Sequence, residues 1–164
     1  MTIAELNVLD EGSFVAAVGW VFEHSPWVSE RAFHARPFAN LDALHAAMTE
    51  QVERAAFAEN LALLKAHPDL GVRARLSQAS TAEQAGAGLD SLTPVEFEQL
   101  HRLNAAYRSR FGFPFLLAVK GSTKHDILRA LQARMEASPE DEYREALRQV
   151  YRIARFRLEG LIKS

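Results

Sequence analysis

The chain has 164 residues, 48% of them hydrophobic and 24% charged, which suits one domain with an ordinary buried core. Its formal net charge of −2 offers no basic footprint for nucleic acid. The absence of cysteine excludes disulfides, thiolate metal sites and a cysteine nucleophile, and it fits a reducing compartment.

The N-terminal MTIAELNVLDEG lacks a basic region followed by an apolar run, so no targeting segment is expected there. No stretch approaches ~18 consecutive apolar residues, so no membrane span is expected. The closing Leu161-Ile162-Lys163-Ser164 does not read as a peroxisomal signal. A soluble, cytoplasmic protein is the expectation.

In chain order the pattern is helical almost throughout. Ser13 reads as an N-cap, with Phe14, Val18 and Val21 or Phe22 recurring at helical spacing up to Ser25-Pro26. Trp27 to Arg36 reads as a short second helix stopped before Pro37. Asn40 caps a longer helix with Leu41, Leu44, Met48 and Val52 on one face, continuing less cleanly through Phe57 and Leu64 to His67-Pro68. Asp69 reads as the cap of a short helix through Leu76, and Ser80-Thr81-Ala82-Glu83 as a capping box that opens the next.

Thr93-Pro94-Val95-Glu96 is a stronger start, with Leu100, Leu103, Asn104 and Tyr107 following at helical spacing. The period then breaks from Phe111 to Val119, which reads as buried, extended backbone. Ser122 or Thr123 restarts a helix carrying Ile127, Leu128 and Leu131. Ser138-Pro139 opens the last one, whose stripe is Tyr143, Leu147, Val150, Ala154, Leu158 and Leu161. The fold class is all-α: one compact domain over residues 1–164, of roughly seven to nine helices with one irregular apolar segment.

Few residues carry chemistry. His67 precedes a proline, which pushes its backbone out of the α region and presents an imidazole at a helix boundary. An imidazole can take or give a proton at neutral pH, although a histidine at a helix C-terminus is also favoured simply by the dipole. Ser80 and Glu83 are accounted for by the capping box. Gln84 beside them, among small residues at a helix start, suits an anionic or amide-rich ligand.

Arg157 falls about 60° from the centre of the last helix's stripe. Its guanidinium could meet a carboxylate in a cleft or lie along a helix edge. The amides from Phe115 onward are open to a ligand if regular pairing fails there, and simple core packing is the other reading. Among the six histidines there is no HxxxH or HExxH pair, so no metal site is expected.

Taken together, AHPDLG at 66–71, S-x-x-EQ-x-x-AGL at 80–89, LNAAYRSRFGFPF at 103–115 and IARFRL at 153–158 resemble the 2-oxo-4-hydroxy-4-carboxy-5-ureidoimidazoline (OHCU) decarboxylase family of ureide synthesis. Ser25-Pro26-Trp27, Arg36-Pro37-Phe38 and Ile127-Leu128 with Arg134 extend the likeness over nearly the whole chain. The resemblance implies an all-α homodimer without cofactor or metal. It implies decarboxylation of OHCU to (S)-allantoin and CO2, the last step from urate, with no nucleic-acid or membrane partner. By position it places the catalytic histidine on His67, the active-site glutamate on Glu83, and a third catalytic group on Arg157. Substrate binding falls on Pro68, Ser80, Gln84 and the backbone of Phe115, Leu116, Leu117, Ala118 and Val119.

In this reading His67 moves the proton, Glu83 orients the imidazole or the ureido group, and Arg157 with backbone N–H groups balances negative charge. Which of His67 and Glu83 is acid and which base stays open. Two alternatives stand beside it: a non-catalytic helical binding or interaction domain, and a lyase acting on a related ureido acid. Trp20 and Trp27 are candidates for a buried dimer interface.

Overall fold

The computed structural model describes residues 1–71 and 78–163, excluding the side chains of Gln78 and Ser80. Among the described residues there are nine α-helices, two 3-10 turns and no strand. The helices are α1 (Ile3–Asn7), α2 (Glu11–Val18), α3 (Trp27–Ala32), α4 (Leu41–Arg54), α5 (Phe57–Lys65), α6 (Gln78–Gly86), α7 (Pro94–Phe111), α8 (Lys124–Arg134) and α9 (Pro139–Leu161). Among the described residues no helix is long and apolar enough to cross a membrane.

Packing divides the chain into two compact units, one of residues 1–66 and 151–164, the other of residues 67–150. The first unit holds α1 to α5 and the last half of α9. Its buried residues include Leu6, Val28 and Leu63, together with Phe14, Val18, Leu44, Met48, Val52 and Leu64, which follow the helical period read from the sequence. Asn40 caps α4 as expected, accepting the Ala43 N–H at 2.9 Å. The cap of α2 is Asp10 rather than Ser13: its carboxylate accepts the Ser13 N–H at 2.7 Å. A capping residue sits before the first turn, and Ser13 lies inside it.

The helix expected over 27–36 is α only to Ala32 and tightens to a 3-10 turn over Phe33–Ala35. There Arg36 turns back onto α1, donating to the carbonyls of Leu6 at 3.0 Å and Leu9 at 2.6 Å. A C-terminal turn with no partners of its own is thereby satisfied. The long pattern of 40–64 is two helices, broken at Ala55-Ala56, where both residues are extended.

The second unit contains α6, α7, α8 and the first half of α9. Thr93 and Glu96 form the expected capping box of α7, and Thr123 with Asp126 does the same for α8. Ser138 opens α9, accepting the Asp141 N–H at 3.2 Å. The helix expected over 69–76 falls largely on residues 72–77, outside the described residues. The box at Ser80–Glu83 is displaced: α6 already runs from Gln78, so Ser80 lies within the helix. Gln78 and Ala79 are good helix formers, so the helix extends upstream through them.

Glu96 also accepts from Lys124 Nζ at 2.7 Å, joining α7 to α8. That contact, with the Thr93 N–H, holds its carboxyl down to about 2 from 4.5. A carboxylate with a lowered folded-state pKa stabilises the fold above its ordinary pKa, and the stabilisation is lost as pH falls through the lowered value. Glu96→Gln is therefore expected to melt below wild type at pH 7, with the gap closing as pH falls from about 4.5 towards 2. Thermal melts across that range check this, and a gap independent of pH refutes it.

Candidate active site

The second unit carries most of the expected site residues. Helix α5 ends at Lys65, and His67 follows in a non-helical backbone before Pro68. Its side chain is buried, with 6% of the residue exposed. Pro68 is half-buried.

The turn from His67 to Gly71 is held from two helices. Gln84 of α6, itself buried, accepts the Gly71 N–H through Oε1 at 2.9 Å. Asn104 of α7 donates to the Leu70 carbonyl at 2.9 Å, and Arg108 one turn on pairs with Asp69 at 2.8 Å. Gly71 has φ +83°, and a Cβ there would stand 2.6 Å from Leu100 Cδ2, so both conformation and space demand glycine. Three polar side chains and one glycine thus fix the turn that presents the imidazole.

Gln84 therefore does something the sequence did not suggest. It spends its amide oxygen on the His67 turn, which leaves its NH2 group as the end open to a ligand's acceptor. Glu83 precedes it on α6 and is half-buried. The backbone of Ser80 lies one turn earlier on the same helix, and its side chain lies outside the described residues. Asn104 and Arg108 were missed as turn-holding residues. Their signal was available only as an i, i+4 polar pair on a helix read for its apolar face.

The second component is the irregular segment. Helix α7 closes on Gly112, left-handed at φ 81°, whose N–H reaches the Arg108 carbonyl at 2.8 Å. Residues 113–119 are neither helix nor strand, and all but Leu117 are buried. The expected set of open amides narrows at one position: the Ala118 N–H donates to Gln149 Oε1 at 3.0 Å. The amides of Leu116, Leu117 and Val119 have no hydrogen-bond partner among the described residues.

Arg157 belongs to the first unit, on the last half of α9. It is not a surface arginine at a helix edge. Nη2 pairs with Glu23 Oε2 at 2.8 Å, with 3% and 1% of the two side chains exposed. Nη1 reaches the Trp20 carbonyl at 3.3 Å. Glu23 was not singled out by sequence reasoning, although a carboxylate just after Phe22 in an apolar stripe signals a buried partner. The second unit thus supplies a buried imidazole, a carboxylate and backbone donors without a partner among the described residues, and the first unit separately holds a guanidinium fixed by Glu23. An imidazole, a carboxylate and such backbone donors in one unit are groups that suit proton transfer on a small molecule.

Comparison with known proteins agrees over nearly the whole chain. The family described as OHCU decarboxylase matches residues 7–159. A 2-oxo-4-hydroxy-4-carboxy-5-ureidoimidazoline decarboxylase of Haloferax volcanii is 49% identical over 164 residues, covering 100% of this chain and 98% of that protein. The uric acid degradation bifunctional protein PucL of Bacillus subtilis is 47% identical over 98% of this chain, which spans 33% of that longer protein. Among solved structures, an (S)-allantoin synthase superposes with a TM-score of 0.79 at 34% identity, covering 99% of this chain and 54% of that one. An OHCU decarboxylase crystallised in the presence of (S)-allantoin has the same fold, with a TM-score of 0.72 at 20% identity over 95% of this chain and 100% of that one.

Proposed function

The chain belongs to the OHCU decarboxylase family and is a carboxy-lyase, and we propose that it converts OHCU to (S)-allantoin and CO2 without a cofactor, as the last step from urate. The observation that carries this is the family match over 7–159, which contains every residue of the proposed site in one reading frame. Residues 1–164 act as one functional domain.

In the reaction the carboxylate leaves from the ring carbon that bears the hydroxyl. Its electron pair forms a C=C bond to the ureido-bearing carbon, the π pair of the adjacent ring C=N moves onto nitrogen, and that nitrogen takes up a proton, leaving an enol. The hydroxyl then gives up its proton to become a carbonyl, and a proton is delivered to the ureido-bearing carbon. The face of that delivery sets the S configuration. His67 and Glu83 carry these proton movements between them, as the side chains of the candidate site whose functional groups can give and take a proton. Arg157 balances charge on the substrate carboxylate, and the amides after Phe115 balance charge on its ring oxygens. Pro68, Ser80 and Gln84 line the substrate.

The protein works as a homodimer in the cytoplasm. Exposed Trp20 and Phe57, at 42% and 63%, are large apolar side chains that an interface would cover.

The test is to generate OHCU in situ from urate and follow allantoin chirality by circular dichroism. Accelerated appearance of a single enantiomer, unchanged after dialysis against a chelator, is expected. Racemic allantoin at the uncatalysed rate would refute the assignment. Light scattering of the purified protein at about twice the chain's mass is expected for the dimer.

A further inference from the structure

We propose that Arg134, Glu142 and Tyr107 are positioning residues that aim the Leu117 N–H at the substrate. This rests on the functional reading above, in which the backbone after Phe115 faces the substrate.

The argument begins with the peptide plane. Arg134 Nη1 donates to the Leu116 carbonyl at 2.5 Å. In a planar trans peptide the C=O and the following N–H point in opposite directions. Fixing the Leu116 carbonyl on Arg134 therefore turns the Leu117 N–H away from Arg134. The next plane is pinned in the opposite sense, because the Ala118 N–H donates to Gln149 at 3.0 Å. Two successive peptide units are thus locked, and the donor between the two clamps is the Leu117 N–H. That N–H has no partner among the described residues. Leu117 is also the one residue of 113–119 that is not buried.

The clamp is itself clamped. Arg134 Nε reaches Glu142 Oε1 at 2.6 Å, and Tyr107 donates its hydroxyl to the same oxygen at 2.5 Å. Glu142 is buried and pairs with the Arg134 guanidinium. The guanidinium lies 4.5 Å over the Phe115 ring, and the Tyr107 ring meets Phe115 edge-on at 5.4 Å. Burial and the neighbouring carboxylate raise the Tyr107 phenol, so it remains a donor at every working pH. The same three side chains therefore fix the ring of Phe115 and the carbonyl that follows it. A backbone donor held this way needs no reorganisation when charge develops on a substrate oxygen.

The test uses the full chain with OHCU generated in situ, and (S)-allantoin as the binding probe in 1H–15N spectra. Arg134→Lys keeps a cation beside Glu142 but cannot span both Glu142 and the Leu116 carbonyl. It is expected to fold, to lower kcat about tenfold, and to leave KM within about twofold. (S)-Allantoin is expected to shift the Leu117 amide resonance in wild type and to shift it much less in Arg134→Lys. Tyr107→Phe is expected to move both readouts the same way by a smaller factor, and it decides the matter if Arg134→Lys does not fold. A folded variant with wild-type kcat, KM and Leu117 shift overturns the proposal while the functional reading stands. A wild-type protein that neither turns over OHCU nor shifts Leu117 overturns the functional reading, and the proposal with it.

Discussion

Replacing His67 by alanine is expected to lower kcat by roughly 10²–10⁴, the usual worth of a positioned proton carrier. The residual allantoin is expected to lose its chirality, because protonation from water reaches both faces. The fold should survive. The turn from His67 to Gly71 is held by Gln84, Asn104 and Arg108, none of which acts through the imidazole's place in the chain. Loss of a buried ring from such a turn costs within the ordinary range of about 0.5–3 kcal/mol. Far-ultraviolet circular dichroism and a thermal melt separate the two effects. A folded variant that retains near wild-type rate and a single enantiomer would remove His67 from the mechanism.

Breaking the Glu23–Arg157 pair should instead unfold the protein before it says anything about catalysis. Both side chains are nearly inaccessible, and Arg157 also reaches the Trp20 carbonyl. Taking away one partner strands a charge in a low-dielectric interior, at a cost of about 3–5 kcal/mol. For a chain of this length that is a fall in Tm of roughly 6–20 °C. Glu23→Ala and Arg157→Met are each expected to show it. The double variant Glu23→Leu with Arg157→Met replaces the pair by apolar side chains of similar volume and is expected to recover most of the stability. Its activity is expected to stay low, because the stabilising role can be replaced by packing and the binding of a carboxylate cannot. Recovery of stability and activity together would make Arg157 a structural residue only. A double variant as unstable as the single ones would mean that the cost lies in packing rather than in charge.

Much of the fold around the candidate site was legible in the chain because its signals are local. A proline after His67, a capping box at Thr93 and a broken period at Phe111–Val119 each act through neighbouring residues. The first two appear where they were expected, and the break starts at Gly112, because α7 runs through Phe111. The errors are equally local in cause. Ser13 reads as a cap because its residue type caps well, and Asp10, equally suited, is the cap that the observed start of α2 selects. Ser80–Glu83 has the form of a capping box, but helix-forming residues upstream carry α6 past it.

Polar side chains were the least legible. Gln84 reads as a ligand-facing residue, and the structure gives its oxygen a further role in holding Gly71. Arg157 was expected at a helix edge or in a cleft, and its guanidinium is paired with Glu23, more than a hundred residues earlier in the chain. Asn104, Arg108 and Glu142 were not assigned any role at the site. A hydrogen bond between residues distant in sequence leaves no periodicity, so no window of the chain records it.

The sequence by itself determined the all-α class, most of the helices with their apolar faces, and the family to which the chain belongs, because burial of an apolar stripe repeats with the helix and is written residue by residue. Tertiary structure alone decided what each polar group does. It set which oxygen holds the His67 turn, which guanidinium pins the Leu116 carbonyl, and that the Leu117 amide has no partner among the described residues. A buried polar group must find its partner wherever the folded chain brings one, and that choice is made only when the helices pack.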